Sequence, residues 1–442
     1  MALSGISQNE GFVSEAPATT NVRAMTIVTA LFFMWGFITC LNDILIPHLK
    51  SIFELNYFRV MLVQFAFFSS YAIFAWPSGK VVEWVGYKRS LVIGLVVMAV
   101  GALMFLPASA IPSFGIFLTA LVCIAAGMTL LQVSANPYVA NLGPPQTASS
   151  RLNLAQAFNS LGTTVAPFFG GALILTAATL TPVQLHSLSA ALQQQYRMQQ
   201  ASSVRIPYVG LAIALVALAV ALALLHLPDL HFTQEMRPGA SSGAATRDSI
   251  WRHPQLLFAA IGIFVYVGAE VSIGSFLINY MELPNIGHLA EKTAASFVAV
   301  YWGGAMIGRF IGSAMLTRIR TGTLLAIAAA IAGCLVVTSI LTHGYVAMFT
   351  VLAVGLFNSI MFPSIFTLGI DGLGALTSRG SSLLVAAIFG GAALPLLQGR
   401  LADAIGVQHA LMIPVICYVY ILIFGAMTKD ARPAQTPEIA PV

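Results

Sequence analysis

The sequence predicts an all-α membrane protein with twelve transmembrane helices in two six-helix bundles. Three observations carry this. Of 442 residues, 58% are hydrophobic and only 8% charged, against roughly 25% charged in a soluble domain. The chain divides into twelve apolar runs, each near the roughly 20 residues a bilayer-crossing helix needs. The two halves also repeat: Arg151 and Arg379, Pro167 and Pro395, and Gly127 and Gly355 are each 228 residues apart. Paired repeats with a midplane site at their interface are a transporter pattern.

In chain order, a polar N-terminal tail (1–22) lacks the basic start, apolar run and cleavage site of a signal peptide. The first bundle spans 23–230, with runs at about 25–49, 59–80, 90–107, 112–140, 151–176 and 206–228. Leu180 to Arg205 is Gln-rich and is expected as an external loop, partly helical. The longest polar stretch, His231 to Ser249, marks a linker over 231–253. The second bundle spans 254–428, with runs at about 256–281, 294–316, 321–342, 345–370, 380–400 and 408–428; a tail (429–442) follows. With both termini inside, fourteen Lys and Arg, Arg309 among them, fall on the inner side and six on the outer. That asymmetry orients the chain in the inner (plasma) membrane with cytoplasmic termini.

Composition also excludes. The net charge of +5 comes from bases scattered at helix ends, which is no nucleic-acid surface. Cys40, Cys123, Cys334 and Cys417 all sit in apolar runs and are expected as small core residues rather than disulfides. The eight histidines show no metal-ligand spacing. No catalytic set, metal or cofactor is expected, only a coupling ion, and the protein is expected as a monomer whose partners are a small solute and the lipid bilayer.

Two acids lie deep in apolar runs: Asp43 in LFFMWGFITCLNDILIPHLK and Glu270 in YVGAEVSIGSF. A charge at mid-bilayer costs roughly 3 kcal/mol on insertion scales, so such residues are retained for function. Asp43, with Asn42 beside it and Thr39 one turn back, offers a compact oxygen cluster for a proton or Na⁺. Glu270, with Tyr266 one turn back, suits paired hydroxyls of a solute. No basic residue lies deep in any predicted run, so neither acid is expected to have a strong ion-pair partner. The alternative for both is an interhelical hydrogen bond.

Amides supply donors and acceptors together, which suits a hydroxyl-rich solute. Gln132 and Asn136 are four apart in one run, Gln156, Asn159 and Thr163 share a face of the next, and Asn358 lies beside Phe357. Their alternative is helix–helix glue. Trp302 can stack on the apolar face of a ring-shaped solute; an aromatic in such a helix more often packs. Gly79, Glu83, Lys88 and Arg89, joined by Arg151 and Arg379 at the starts of two runs, are expected as a gate on the inner side.

GKVVEWVGYKRS (Gly79 to Ser90) resembles the major facilitator superfamily signature, with Glu83 where an Asp is usual, and GRFIGS (Gly308 to Ser313) resembles its degraded copy. CLNDILIPHL, LQVSANPYV, YVGAEVSIGSFLINY, YWGGAMIGRFIGS and LFNSIMFPSIFTL, in that order, resemble the fucose–galactose–glucose symporter family. The resemblance implies the major facilitator fold, alternating access and monosaccharide uptake coupled to H⁺ or Na⁺. The L-fucose branch has a glutamate where this chain has Gln132, and LQVSANP is closer to the glucose/galactose branch. An L-fucose/proton symporter and a drug/proton antiporter are the alternatives.

Overall fold

The structure, a computed structural model, describes residues 19–53, 57–110, 113–173, 187–202, 204–225 and 249–428; the side chains of 40–53, 57–64, 167–173, 190, 197, 200, 201, 291, 292 and 295 lie outside that set. Among the described residues there are helices and turns only. The helices are α1 (Val22–Phe53), α2 (Tyr57–Leu103), α3 (Phe105–Ala110), α4 (Phe114–Ala140), α5 (Ala148–Leu173), α6 (Ala190–Ser202), α7 (Arg205–Leu224), α8 (Pro254–Glu282), α9 (Glu291–Met315), α10 (Thr321–Leu341), α11 (Gly344–Asn358), α12 (Met361–Ile370), α13 (Thr377–Ala386), α14 (Gly390–Ile405), α15 (Val407–Ala410) and α16 (Met412–Met427).

Nine stretches of the described residues are long and apolar enough to cross a membrane. One of them, Phe65–Ala110, has 46 residues, which at 1.5 Å each is roughly two bilayer thicknesses. It bends at Gly86 (φ 79°, ψ 170°) and so makes two crossings. Helices α5 and α9 are too polar to register by hydropathy, yet both are long and packed inside the bundle. The architecture is consistent with the twelve crossings expected. Exposed residues of α7, Ile206, Ile213, Val216, Val220 and Leu224, make one apolar stripe, stable against lipid and not against water. The described part of α5 contributes no strongly exposed large apolar residue, as befits a central helix.

Three expectations need correction. The gap between the runs expected at 59–80 and 90–107 is helical on both sides of Gly86; the chain turns at that one residue because glycine alone adopts its positive φ at little cost. The run expected as one helix over 345–370 is two, α11 and α12, separated at Ser359–Ile360. Pro363 lacks the N–H that would bond the Ser359 carbonyl four residues back. Cys334 is exposed rather than in the core, whereas Cys417 is buried. The linker expected over 231–253 lies outside the described residues up to 248. A helix, α6, does form within the Gln-rich loop.

The repeat has a packing counterpart. A methyl at Gly162 on α5 would run into the Phe33 carbonyl of α1, and one at Gly36 into the Asn159 carbonyl. Gly390, which keeps the 228-residue offset from Gly162, is pressed in the same way against the Phe264 carbonyl of α8. Each set of helices thus has a crossing of this kind at the related place, and Gly127 and Gly355, also 228 residues apart, make another, against the Gly94 and Tyr301 carbonyls.

The two sets, before residue 226 and after 248, meet along α5 with α9 and α12, and α2 and α4 with α13. One end of this junction carries both ends of the described chain: the Asn21 N–H bonds the Leu142 carbonyl, and Thr428 lines a cavity with Asn141, Arg318 and Thr377. With both termini expected inside, this is the end expected to be inner.

Candidate functional site

Glu270 sits midway along α8. Its Oε1 accepts a hydrogen bond from the Tyr266 hydroxyl at 2.8 Å. An arginine also faces it: Arg309 Nη2 of α9 lies 3.9 Å from Oε1, and both side chains are 12% exposed. Arg309 was expected among the inner-side loop bases, and no deep base was expected at all. Only about 9 Å of helix separates it from the end of α9, but its side chain turns into the junction instead of out to solvent.

Three further groups hold Arg309. Its Nη1 donates to the Ser160 hydroxyl of α5, across the junction. Its Nε donates at 3.4 Å to the Ser359 carbonyl, the one Pro363 leaves free. Its own carbonyl accepts from Asn153 Nδ2 of α5 at 2.7 Å. Arg309 therefore ties Glu270 of one set of helices to α5 of the other. Pro137 does for α4 what Pro363 does for α12: it frees the Val133 carbonyl, which accepts from the Ser381 hydroxyl of α13 at 2.9 Å.

The other expected residues divide. Asn358 is fully buried and spends its amide on two tyrosines, donating to Tyr301 at 2.9 Å and accepting from Tyr418 at 2.8 Å. It is glue within the second set and does not reach Glu270. Asn159 donates to the Phe32 carbonyl at 2.9 Å, which holds α1 on α5. Gln156 is buried beside Ser160, which donates to its carbonyl at 3.2 Å. Gln132 and Asn136 are buried, and Gln132 Oε1 and both amide atoms of Asn136 have no hydrogen-bond partner. Asn136 lies one turn from the inner end of α4, away from the level of Glu270. Trp302 is 38% exposed, lies edge-on to Tyr301 with centroids 5.2 Å apart, and covers Gly274, one turn beyond Glu270. Thr39 donates to the Trp35 carbonyl at 3.0 Å. Asp43 and Asn42 lie on α1, but their side chains are outside the described residues.

At the inner end, Arg379 Nε donates to Glu83 Oε1 at 2.7 Å and the Ser378 hydroxyl to the same oxygen at 3.2 Å. Gly79 lets α2 press against Ser382. Ser150 donates to the Ser313 carbonyl at 2.7 Å, and Ser313 returns the bond to the Ser150 carbonyl at 3.0 Å. Ser149 and Thr367 share a bond of 2.6 Å. Three expected gate residues face elsewhere. Arg151 turns back on its own set, onto the carbonyls of Val139, Ala140, Gly143 and Pro144 and the Thr147 hydroxyl. Lys88 donates to the Ala223 carbonyl at 3.0 Å, at the end of α7. Arg89 is exposed.

A bundle of this kind, split into two related sets of helices with charged side chains at their junction, has the build of a membrane carrier. Residues 26–394 match the Major Facilitator Superfamily, and the chain belongs to that superfamily. A protein of Brucella abortus biovar 1 (strain 9-941) named glucose/galactose transporter is 52% identical over 402 residues, 91% of this chain and 93% of the relative. The L-fucose-proton symporter of Escherichia coli (strain K12) is 35% identical over 409 residues, 90% of this chain and 91% of the relative. The crystal structure of FucP, a Major Facilitator Superfamily transporter in the outward conformation, superposes with a TM-score of 0.84 at 33% identity, over 93% of this chain and 99% of that one.

Proposed function

We propose that the protein is a secondary active transporter, not an enzyme, that imports a glucose- or galactose-like hexose in symport with H⁺ or Na⁺ through alternating access. It acts in the inner membrane with both termini cytoplasmic. The carrying observation is the Tyr266–Glu270–Arg309–Ser160 chain, a carboxylate and a guanidinium placed where the two sets of helices meet. Such a pair offers acceptors and donors to sugar hydroxyls, and a ligand bound there touches both sets. Relatives named for glucose and galactose support the substrate class. The L-fucose alternative is less favoured, since Gln132 replaces the acid of that branch.

The state is one closed to the cytoplasm, supported by the contacts at the inner end and by likeness to an outward-conformation structure. Glu270, Gln132 and Gln156 are assigned to the sugar. Asp43, with Asn42 and Thr39, is assigned to the coupling ion.

Uptake of glucose and galactose into proteoliposomes, with pH and Na⁺ gradients imposed separately, tests the reading and names the ion. Asp43→Asn should abolish accumulation while leaving exchange down the sugar's own gradient. Glu270→Gln should instead weaken sugar affinity, since an ionised acceptor contributes roughly 1.5–3 kcal/mol against about 1 for a neutral one. Full accumulation by Asp43→Asn, or lost coupling with normal sugar binding in Glu270→Gln, refutes the division of roles. Uptake of lipophilic cations in place of sugars would favour a drug antiporter.

A further inference from the structure

We propose that Asn153 and Ser364 form a second hydroxyl-binding station, on the cytoplasmic side of Glu270, which the sugar occupies on its way out and which is sealed in this state. The proposal rests on the sugar-transport reading above.

Both residues are fully buried. Asn153 Oδ1 and Ser364 Oγ have no hydrogen-bond partner, although buried polar atoms are nearly always paired. Among the described residues Ser364 shares this with Ser69 and Ser272, whereas Thr129, Ser134, Thr367 and Ser382 each bond a carbonyl of their own helix; of the three, Ser364 is the one a turn from the Ser149–Thr367 bond across the junction. A hydroxyl that does not take that route is left with its donor and acceptor capacity intact.

Register puts the two together. Helix α5 runs away from the inner end and α12 runs toward it. The Ser149–Thr367 bond at 2.6 Å fixes their alignment across the junction. One turn farther from the inner end, four residues on along α5 and three back along α12, stand Asn153 and Ser364. Beyond them on α5 comes Ser160, which receives Arg309, which faces Glu270. On the other side of the Ser149–Thr367 bond opens a cavity of about 490 Å³, lined by Ser149, Thr367, Thr377 and Asn141, a volume in the range of small-molecule sites. Polar groups therefore line the junction from Glu270 to the inner surface, closed off at the level of Ser149–Thr367 and Ser150–Ser313.

The station belongs to both sets of helices, so separating them at the inner end exposes it. Asn153 Oδ1 then accepts a hydroxyl proton, and Ser364 Oγ donates to or accepts from the next sugar oxygen. Its partners exist in the opposite conformation, which accounts for their lack in this one.

The test compares the two faces. Half-saturation for glucose and galactose is measured in right-side-out and inverted vesicles for wild type, Ser364→Ala and Ser364→Thr. Ser364→Ala removes a hydroxyl that bonds nothing in the closed state, so folded yield should hold. It should raise half-saturation at the cytoplasmic face about fivefold, the worth of one hydrogen bond, with the outer face unchanged. Ser364→Thr, which keeps the hydroxyl, should restore the cytoplasmic value. Unchanged affinity at both faces overturns the station, as does an equal loss at both, which would place Ser364 at the central site. A gain at the outer face matching the loss at the inner would mean a shifted conformational balance and also overturns it. Wild-type vesicles that move no hexose overturn the sugar reading itself, and the station with it.

Discussion

Two of the contacts that close the inner end stand at related places in the two sets of helices and use different chemistry. Where α13 begins, Ser378 and Arg379 grip Glu83. Where α5 begins, 228 residues earlier, Ser150 grips Ser313 by a reciprocal neutral pair, and Arg151 is turned inward on its own α4–α5 turn. The same Ser-Arg dipeptide is used as an exposed ionic latch in one copy and as an internal staple beside a buried neutral latch in the other. Exposure explains the split. The Arg379 side chain is 55% exposed and Glu83 28%, so their attraction is screened by water and salt. Arg151 is 5% exposed, and a buried guanidinium is tolerable only when its N–H groups are all bonded.

The largest effect expected from this contrast is on folding. Arg151→Ala frees four carbonyls and a hydroxyl at once and should cost more than about 3 kcal/mol, read as loss of folded yield and a lower melting temperature. Arg151→Lys should not rescue it, because an ammonium cannot reproduce the planar fork. Equal melting temperatures for Arg151→Ala and Arg379→Ala would break the comparison.

Next in size is the neutral latch. Ser150→Ala with Ser313→Ala removes two buried bonds, about 2 kcal/mol or roughly thirtyfold in the balance of inner-closed and inner-open states. Cysteine labelling from the cytoplasmic side would measure it, and the shift should not depend on salt.

The smallest effect is at the ionic latch. Arg379→Ala should move the same balance by no more than about 1 kcal/mol, roughly fivefold. Its effect should fade between 0.05 and 1 M salt as the screening length drops to about 3 Å. A shift independent of salt would mean that Ser378, not the charge pair, does the latching.

Most of the fold was legible because apolar run length and Lys/Arg asymmetry are forced by the bilayer. Even α5 and α9, too polar for a hydropathy window, fall on the runs expected at about 151–176 and 294–316. The kink at Gly86 and the break at Ser359 were less so, although Pro363 carried the signal for the second. The site was half legible. Glu270 and Tyr266 stood out by rarity and spacing. Arg309 was misplaced because distance along the chain from a helix end says nothing of the direction in which a side chain leaves the helix. Ser160, Ser364 and Asn153 gave no signal of their own, since serine and asparagine are ordinary glue in membrane helices. Their importance lies in what stands opposite, which a linear pattern does not carry. The proline rule would have helped: Pro137 and Pro363 each announce a free carbonyl four residues back, and both carbonyls are used.

The glycine crossings bear on how mutational data for this protein should be interpreted. Gly36, Gly162 and Gly390 face backbone at a spacing that excludes even a methyl group. In a saturation scan scored by transport they would be as intolerant as Glu270, through helix packing and not through a bond to solute. Ranking positions by sensitivity alone would therefore merge two populations, residues that meet the cargo and residues that let helices touch. Alanine separates them when folded yield is scored beside transport: at a residue that meets the cargo it lowers transport with the fold kept, and at these glycines it lowers both.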